Sequence, residues 1–444
     1  MDAAARTFSN GYIDYATKDL EELIPQLDHR TLVSASRKLY NNVGVVRAIL
    51  EQKAMYSVGR AFLPSFKGQD QEWGRKAEEL LVDWFNHCDI ARANDWQTCL
   101  YLLSLELDRD GDSWVLLTET ENGYPQIQLI AANRIGQKDP SETVVASGTY
   151  KGKPITKGII SDKKTGRAIA YRYTDDDGNE RDIPAESLIQ NIDPQWVGQK
   201  RGLPLFSSAI NTFRDLKEAQ EREQFAQLIM SSLVFAEHNL YGEAMEDDIT
   251  IPSGGCRSGQ PKVQTFEQGQ IKYFTANTGS KIEQISNTRP SVEWQQFQDR
   301  LKRDACVGVG WSYSLVEGNM DGSGTSNRLA IKQAEKAVED RQALLMTTAR
   351  RIITYVVGRF IALKILPYNK EFFRWGFSIP KKISIDVGRD SKALIEEYKM
   401  GWHTLEDILG ESGKTLEAHI RQLEKEKALL ESAGLYIGQI SPSK

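Results

Sequence analysis

The spacing of apolar residues over the first 190 positions predicts helices followed by strands. Helical spacing is found within Leu32–Val58, from about Glu72 to Asn86, and from Asp95 to Leu105. The pattern then changes to that of strands at Ser113–Thr118 and again at Gln126–Ile130. Helices and antiparallel strands within one segment predict an α+β domain.

Turn residues define the limits of this domain. Glu121–Gly123 contains the Asn-Gly pair that favours a tight reversal, so the two predicted strands on either side are expected to form a hairpin. More strands are predicted at Ile155–Ile160 and Ala168–Tyr173. Residues 1–30 are polar and predict an N-terminal arm, and residues 31–202 predict the α+β domain.

After Gly202 the pattern predicts a long helix. Pro204 suits a first helical turn, and no other helix breaker precedes Asn239. A continuous helix of about 34 residues would be about 50 Å long at 1.5 Å per residue. Residues 203–238 therefore predict a strut that is longer than a compact domain requires.

The second half of the chain predicts a small unit of strands, two more helices and a loop between them. Residues 239–289 predict a small unit of turns and short strands, and residues 290–309 a second helix that opens at Pro290. A Gly-, Ser- and Asn-rich loop closes residues 310–327. Arg328–Leu366 has a single glycine, Gly358, and predicts a helix of about 39 residues with a candidate kink there.

The C-terminal residues predict further helices. Ser391–Gly434 has helical spacing, and Thr404 with Asp407 fits a capping box. Glu417 and Arg421 are placed to form a pair across one helical turn.

Composition narrows the class of protein. Of 444 residues, 40% are hydrophobic and 26% charged, which is typical of folded soluble domains. The best candidate for a membrane span, Ile352–Leu366, is interrupted by Arg359 and Lys364. Met1–Asn10 lacks the apolar core of a secretory signal, so we expect the chain in the cytosol of the cell that makes it.

The charge balance argues against a protein that grips DNA. The formal net charge is -5 and no basic stripe is visible, whereas sequence-specific DNA binders usually carry one. A protein along which DNA slides does not need tight phosphate contacts, so the balance is compatible with a conduit.

Three motifs suggest site chemistry, but each fits a structural role better. Cys88, Cys99, Cys256 and Cys306 form no CxxC pair and predict free thiols rather than zinc or disulfide sites. Gly410–Thr415 resembles a phosphate-binding loop, but Ile408 stands where its first glycine belongs and no strand precedes it.

The third motif is acidic. Asp108, Asp110, Asp112 and Glu119 have the spacing of a calcium loop, but Ser113 replaces the obligatory glycine, which favours an acidic hairpin turn. The five histidines are widely spread and no catalytic signature is present. We therefore expect no enzyme, with no catalytic residue, metal or cofactor.

Several segments, in order, resemble the portal proteins of lambda-like tailed phages. The most specific is Pro194–Leu205, where a turn is followed by Arg201-Gly202, Pro204 and Leu205. The other matching segments are Ser36–Asn42, Val45–Arg47, Trp84–Asp89, Asp110–Ile135, Phe266–Ile271, Gly308–Tyr313 and Pro380–Gly413. One departure is Gly324–Arg328, where the family often has a Tyr-Ser-Ser-x-Arg sequence.

The resemblance implies an elongated α+β subunit of a closed ring, typically of twelve copies. It implies an α+β wing (31–202, with 328–388), a two-helix stem (203–238 and 290–309), a small α/β clip (239–289), and a crown of C-terminal helices (389–444). It also implies a tunnel loop that faces DNA. The loop residues are Asn319, Asp321, Gly322, Ser323, Gly324, Thr325, Ser326, Asn327 and Arg328.

The same resemblance implies function and partners. Such a ring at one capsid vertex conducts double-stranded DNA, without sequence specificity, during packaging and ejection. Its partners would be the terminase large subunit, a head–tail adaptor, and the major capsid and scaffolding proteins, with no membrane. Its location would be the virion, and the host cytoplasm during assembly. Two alternatives stay open: another ring of the phage neck, such as a head–tail adaptor, and an uncharacterised hydrolase.

Overall fold

The computed structural model describes residues 24, 26–60, 62–231, 235–239, 280–284, 292–318, 324–380, 387–411 and 413–432. The chain forms two compact units. One comprises Met1–Phe213 with Lys302–Lys444, and the other Arg214–Leu301.

Helices account for most of the described residues. In chain order they are α1 (Gln26–Asn42), α2 (Gly44–Val58), α3 (Gln71–Phe85), α4 (Trp96–Asp110), α5 (Ile210–Ser231), α6 (Val292–Gly308), α7 (Tyr313–Glu317), α8 (Gly324–Ala362), α9 (Val387–Lys399), α10 (Leu405–Glu411) and α11 (Leu416–Ser432). Helices α3 and α4 begin after aspartate caps: Asp70 accepts from the Trp73 amide at 3.0 Å and Asp95 from the Thr98 amide at 2.8 Å.

The strands are short. In chain order they are β1 (Pro64–Phe66), β2 (Asp112–Glu119), β3 (Pro125–Ile130), β4 (Ile155–Thr156), β5 (Ile159–Ser161), β6 (Ala168–Thr174), β7 (Glu180–Pro184), β8 (Leu188–Ile192), β9 (Phe235–Asn239), β10 (Ser280–Gln284) and β11 (Trp375–Phe377). The predicted hairpin is confirmed as β2 and β3, with Trp114 opposite Ile130.

Two antiparallel sheets and one strand pair belong to the larger unit. β2 lies between β3 and β8, and β4–β5–β6–β7 form a second sheet in sequence order. β1 pairs with β11, which comes more than 300 residues later, with Pro64 opposite Phe377. This pair joins the N-terminal and C-terminal parts of the chain.

The main core of the larger unit lies along one face of α8. Seven apolar residues of α8 are almost fully buried there: Leu345, Ala349, Ile352, Ile353, Val356, Val357 and Phe360. Their spacing of three and four residues places them on one face of the helix. They belong to the same cluster as Trp84 of α3 and Trp96 of α4, whose rings lie 5.8 Å apart.

The smaller unit contains the β9–β10 pair with parts of α5 and α6. Phe235 lies opposite Gln284, and Asn239 opposite Ser280. The Gln220 side chain of α5 donates a hydrogen bond to Gln298 of α6 at 3.4 Å. Both unit boundaries fall within helices, between residues 213 and 214 and between residues 301 and 302.

The prediction of one helix over residues 203–238 is wrong in length. Helix α5 has 22 residues, which is about 33 Å at 1.5 Å per residue, and a 3-10 turn at Ser207–Ala209 precedes it. Residues 203–206 are held outside the helix, since the Leu205 amide donates to Asp108 O at 2.8 Å. Phe235–Asn239 forms strand β9 because it pairs with residues some 45 positions later.

The other long helices are close to prediction. α6 confirms the helix expected over 290–309. α8 has the expected 39 residues but begins at Gly324, four residues earlier than predicted, and runs through Gly358 to Ala362. Thr, Ser and Asn suit the first turn of a helix as well as a loop, so composition alone misplaced this boundary.

The C-terminal helices are confirmed in part. Thr404 Oγ1 accepts from the Asp407 amide at 3.2 Å, and the Asp407 carboxylate accepts from the Thr404 amide at 3.1 Å, which completes the predicted capping box. The predicted partner of Arg421 is wrong: its guanidinium binds Glu79 of α3 at 3.0 Å. The prediction for residues 433 and 434 lies outside the described residues.

Three of the cysteines and the Gly410–Thr415 segment have structural surroundings that do not fit the alternative chemistry considered for them. Cys88, Cys99 and Cys306 are buried free thiols, and Cys256 lies outside the described residues. Gly410 belongs to α10, so a helix and not a strand precedes the Gly413-Lys414-Thr415 sequence. The arrangement is a link between two helices, and it differs from a phosphate-binding loop.

Candidate functional site

The predicted DNA-facing loop is only partly described. Asn319, Asp321, Gly322 and Ser323 lie outside the described residues. Gly324, Thr325, Ser326, Asn327 and Arg328 form the beginning of α8 and not a loop. The segment that links α7 to α8 is therefore at most the six residues 318–323.

The chain that enters this segment is anchored on α2. Trp311 is almost fully buried, and its ring stacks on Tyr56 with the centroids 6.4 Å apart. Its indole nitrogen donates to Gln52 at 3.4 Å. Helix α7 then ends at Gly318, whose φ of 71° closes the helix in the left-handed conformation.

Positive charge lies beside α7. The Lys302 ammonium and the Arg303 guanidinium each lie 6.0 Å from the ring of Tyr313 in α7. A tyrosine face attracts cations through its ring quadrupole, so Tyr313 holds both charges at this helix. Arg328 is exposed one turn into α8.

On the other side of the segment, α8 is fixed to the domain by a buried ion pair. Arg341 is buried and binds the Asp108 carboxylate at the end of α4. The ammonium of Lys53, from α2, donates to the same carboxylate oxygen at 3.0 Å. Burial lowers the pKa of Lys53, while the charge of Asp108 opposes that effect. Three helices therefore meet at one aspartate.

Asp108 belongs to a series of three aspartates at the junction of α4 and β2. Asp110 accepts from Arg37 of α1 at 2.7 and 2.9 Å and also from its neighbour Arg109. Asp112 binds Arg201. The prediction of an acidic hairpin turn is therefore wrong, because these residues join a helix to a strand. Each carboxylate neutralises a cation from a distant segment.

Arg201 has the most complete set of partners at this junction. It is 3% exposed and donates to both oxygens of Asp112. It also donates to three backbone carbonyls, at 2.7 Å to Ile135, 2.9 Å to Ala132 and 3.2 Å to Lys157. The planar guanidinium suits such multiple bonds, which a lysine could not reproduce.

The residue after Arg201 is held between backbones. Gly202 is buried, and its carbonyl lies 2.9 Å from the Nε2 atom of His29 in α1. Burial, and then the charge of Arg201, lowers the pKa of His29 to about 4. Beyond Gly202, Phe206 and Phe213 are buried with their rings edge to face at 5.7 Å. The chain that leads into α5 is thus fixed to the α4–β2 junction.

Two carboxyl groups outside this junction have unusual acidity. Burial raises the pKa of Glu106 to about 7, with the charge of Asp110 acting in the same direction. Burial also raises the pKa of Glu78 in α3 to about 7, to which the nearby Glu417 and Glu406 contribute. Glu78 accepts from the Phe66 amide at 2.7 Å, so its place is structural.

No candidate cation site is present within the described ranges, where no three His, Cys, Asp or Glu side chains are grouped to hold a metal. Two histidines are already engaged, since His29 of α1 contacts a backbone carbonyl and His403, between α9 and α10, pairs with the half-buried Glu397 at 3.5 Å. What the geometry provides is anchorage: buried ion pairs fix α8 and the start of α5 to one domain.

A comparison with known protein families identifies the family to which this chain belongs. The model for "phage portal protein, lambda family" matches residues 15–342, which is 328 of 444 residues. The chain belongs to the lambda family of phage portal proteins. Portal proteins are structural components of the virion, so the matching family is not one of enzymes. The matched range includes the whole α4–β2 junction, Arg201 and Arg341.

Solved structures similar to this portal chain come from gene transfer agent (GTA) particles. One is described as the neck of an empty GTA particle computed with C6 symmetry; it has 12% identity, covers 92% of this chain and 94% of its own, and gives a TM-score of 0.50. The neck of a native GTA particle computed with C12 symmetry has the same identity and coverage and a TM-score of 0.49. The virion of a native GTA particle gives 10% identity over the same shares, with a TM-score of 0.49.

At these identities the likeness concerns the fold alone. No curated protein matches the portal chain. Among the helices of the described ranges, none combines the length and apolarity that a membrane crossing requires.

Proposed function

We propose that copies of this chain form a closed ring at one vertex of a phage-like particle, through which double-stranded DNA enters and leaves. The observation that carries the proposal is the family match over residues 15–342. The fold likeness to a neck structure of a GTA particle supports it. When two different surfaces of a subunit bind each other, copies add head to tail. They close into a ring if the rotation from one copy to the next is a whole fraction of 360°. Twelve copies is the number that the resemblance implies.

The parts of the subunit follow the order of the chain. The wing comprises residues 31–202 and 328–388, and the stem comprises α5 and α6 within residues 203–238 and 290–309. Residues 239–289 form the clip and 389–444 the crown. The crown helices contact the wing in this structure, since Glu406 accepts from Ser65 at 2.9 Å and Arg421 binds Glu79.

The stem helices carry apolar side chains suited to contacts between copies. Phe225 and Leu228 of α5 are 63% and 67% exposed, and Phe297 of α6 is 52% exposed. Large exposed apolar side chains of this kind mark interaction surfaces when they are grouped. In the ring, neighbouring stems would cover them.

The DNA-facing loop is reduced to residues 318–323, with Arg328 just inside α8. Asp321, Gly322 and Ser323 carry no apolar side chain, which suits a segment that faces DNA across water. Lys302, Arg303 and Arg328 place positive charge next to it, which would attract passing phosphates without reading sequence. The terminase large subunit, a head–tail adaptor and the capsid and scaffolding proteins are the proposed partners of the ring.

Electron microscopy of the purified protein tests the ring. We expect class averages with a central hole, and an assembly mass of about twelve times the 50.1 kDa of one chain. Compact monomers and dimers under every salt condition would contradict the proposal.

A deletion tests the loop. Removing Asp321–Ser323 spares α8 and should leave ring assembly intact while packaging, or retention of DNA in the head, falls. The control removes the exposed residues 146–148 from the larger unit. Normal packaging and retention by the loop deletion would refute the assignment, and loss of ring assembly would show instead that the segment is structural.

A further inference from the structure

A groove runs along one face of α1. The residues of α1 that line it recur every three or four positions, as expected for one face of a helix. They are His29, Arg30, Val33, Ser34, Arg37, Lys38 and Asn41. The opposite wall is formed by Ala132, Asn133, Ile135 and Gly136 with Lys157 and Arg201. The cavity has a volume of about 350 Å³. The helix rises about 18 Å over the twelve steps from His29 to Asn41, which sets the length of the groove.

The charge of the groove has one sign. Five cationic side chains line it (Arg30, Arg37, Lys38, Lys157 and Arg201), and no aspartate or glutamate does. Asp110 and Asp112 neutralise Arg37 and Arg201 from behind the wall. Arg30 and Lys38 are exposed, and Arg30 has one hydrogen bond, to the Gln137 carbonyl at 2.7 Å. The depressed pKa of His29, caused by burial and then by Arg201, agrees with a positive potential here.

The floor of the groove is apolar between these charges. Val33 of α1 and the residues Ala132 and Ile135 of the opposite wall supply its apolar lining. No phenylalanine, tyrosine or tryptophan lines the groove, and the imidazole of His29 is buried, so the groove offers little of the stacking surface that single-stranded nucleic acid uses. A ligand that fits must carry anionic groups separated by an apolar part.

The spacing of the two exposed cations points to an extended peptide. Arg30 and Lys38 are eight residues apart, which is about 12 Å along the helix axis. In an extended chain, side chains four residues apart lie on the same face and are about 13 Å apart. Acidic residues at the first and fifth positions, with an apolar residue at the third, would match the cations and the floor.

We propose that the α1 groove binds an extended acidic peptide segment of a protein partner, in which two carboxylates pair with Arg30 and Lys38 around an apolar side chain that packs on Val33 and Ile135. Such a segment gives the portal chain a docking site for a protein partner within its larger unit. The proposal stands without the ring, because all the residues belong to the larger unit.

Fluorescence anisotropy with short labelled peptides tests the site. The probe is Glu-Ala-Val-Ala-Glu, and the matched control probe is Gln-Ala-Val-Ala-Gln. We expect the acidic probe to bind the full-length protein, and its affinity to fall as salt rises. Lys38→Glu should weaken binding about tenfold or more and Arg30→Gln by several-fold, since each removes one charge pair.

The control variant is Lys163→Glu, which makes the same charge change at an exposed position outside the groove. It should leave affinity within about twofold of the unaltered protein. Equal binding of both probes, or Lys38→Glu protein that folds normally by circular dichroism and binds as well as the control variant, would overturn the proposal. A five-nucleotide thymidine strand that binds more tightly than the peptide, with the same dependence on Lys38, would also overturn it in favour of a nucleic-acid site.

Discussion

Gly111 and Gly202 lie so close together that a β-carbon on Gly202 would be 1.7 Å from the carbonyl oxygen of Gly111. A β-carbon on Gly111 would in turn be 2.5 Å from the backbone of Leu203, and its φ of 92° is one that other residues rarely adopt. The end of α4 and the chain entering α5 can approach in this way only because both positions lack a side chain.

Gly202→Ala should therefore destabilise the protein strongly. Two backbones must separate to admit the methyl group, which also strains the bonds of Arg201, so we expect a loss of about 3 kcal/mol or more in the free energy of unfolding. Urea denaturation measures it. Gly44→Ala is the control, because nothing lies within 4 Å of its β-carbon position at the start of α2. Similar losses for both variants would contradict the steric explanation.

Arg201→Met should cost about 3–5 kcal/mol in the free energy of unfolding, because it leaves the buried carboxylate of Asp112 without its cation. Arg222→Met provides the control, since the Arg222–Glu218 pair is exposed and should contribute less than about 1 kcal/mol. Guanidinium denaturation at constant pH compares the two. A loss below about 1 kcal/mol for Arg201→Met would mean that Asp112 finds another partner.

The raised pKa of Glu78 predicts a loss of stability with rising pH. Its folded pKa is about 7, above its ordinary value of 4.5, so the folded state binds more protons between these values. The stabilising effect is fully present below about pH 4.5 and is lost as the pH rises through 7.

Glu78→Gln should therefore flatten the fall in melting temperature between pH 5 and pH 8, because glutamine does not titrate. Glu121→Gln, in the exposed turn after β2, should keep the original slope. Glu106 has a similarly raised pKa and maintains part of the slope in both variants. An unchanged slope in Glu78→Gln would show that this carboxyl group is not coupled to folding.

Phe225→Glu should weaken ring assembly. Phe225 is 63% exposed in the single chain, and a charge at this position would be costly to bury between two stems. Gln224→Glu adds the same charge at the neighbouring exposed position of α5 and serves as the control. Mass photometry across protein concentrations should show smaller assemblies for Phe225→Glu only. Rings of equal stability in both variants would remove Phe225 from the interface.

Local patterns predicted the elements that depend on local interactions. The β2–β3 hairpin and the Thr404–Asp407 capping box involve residues close in sequence, so spacing and turn chemistry were sufficient. Strand β9 was missed because Phe235–Asn239 also fits a helical pattern, and its partner β10 is distant. Pairing across the sheet overrode the local preference.

The ionic junction could not be predicted for a related reason. Asp108 meets Lys53 and Arg341, which are 55 and 233 residues away along the chain. The three aspartates were visible as a cluster, but the sequence does not show which cations they face. The sequence pointed to this junction only through the Arg201-Gly202 pair, which belongs to the segment that resembles the portal family. The structure shows why the pair matters: Arg201 binds Asp112, and Gly202 lies against Gly111.

The β1–β11 pair has a consequence for synthesis of the protein on the ribosome. Phe66 of β1 packs against Trp73 at 4.9 Å and against Trp375 of β11 at 5.4 Å. The 309 residues from Phe66 to Trp375 take roughly 15 to 60 s to translate at ordinary bacterial rates. During that time Phe66 has Trp73 as a neighbour but lacks Trp375, so this part of the core is completed only after β11 has been synthesised.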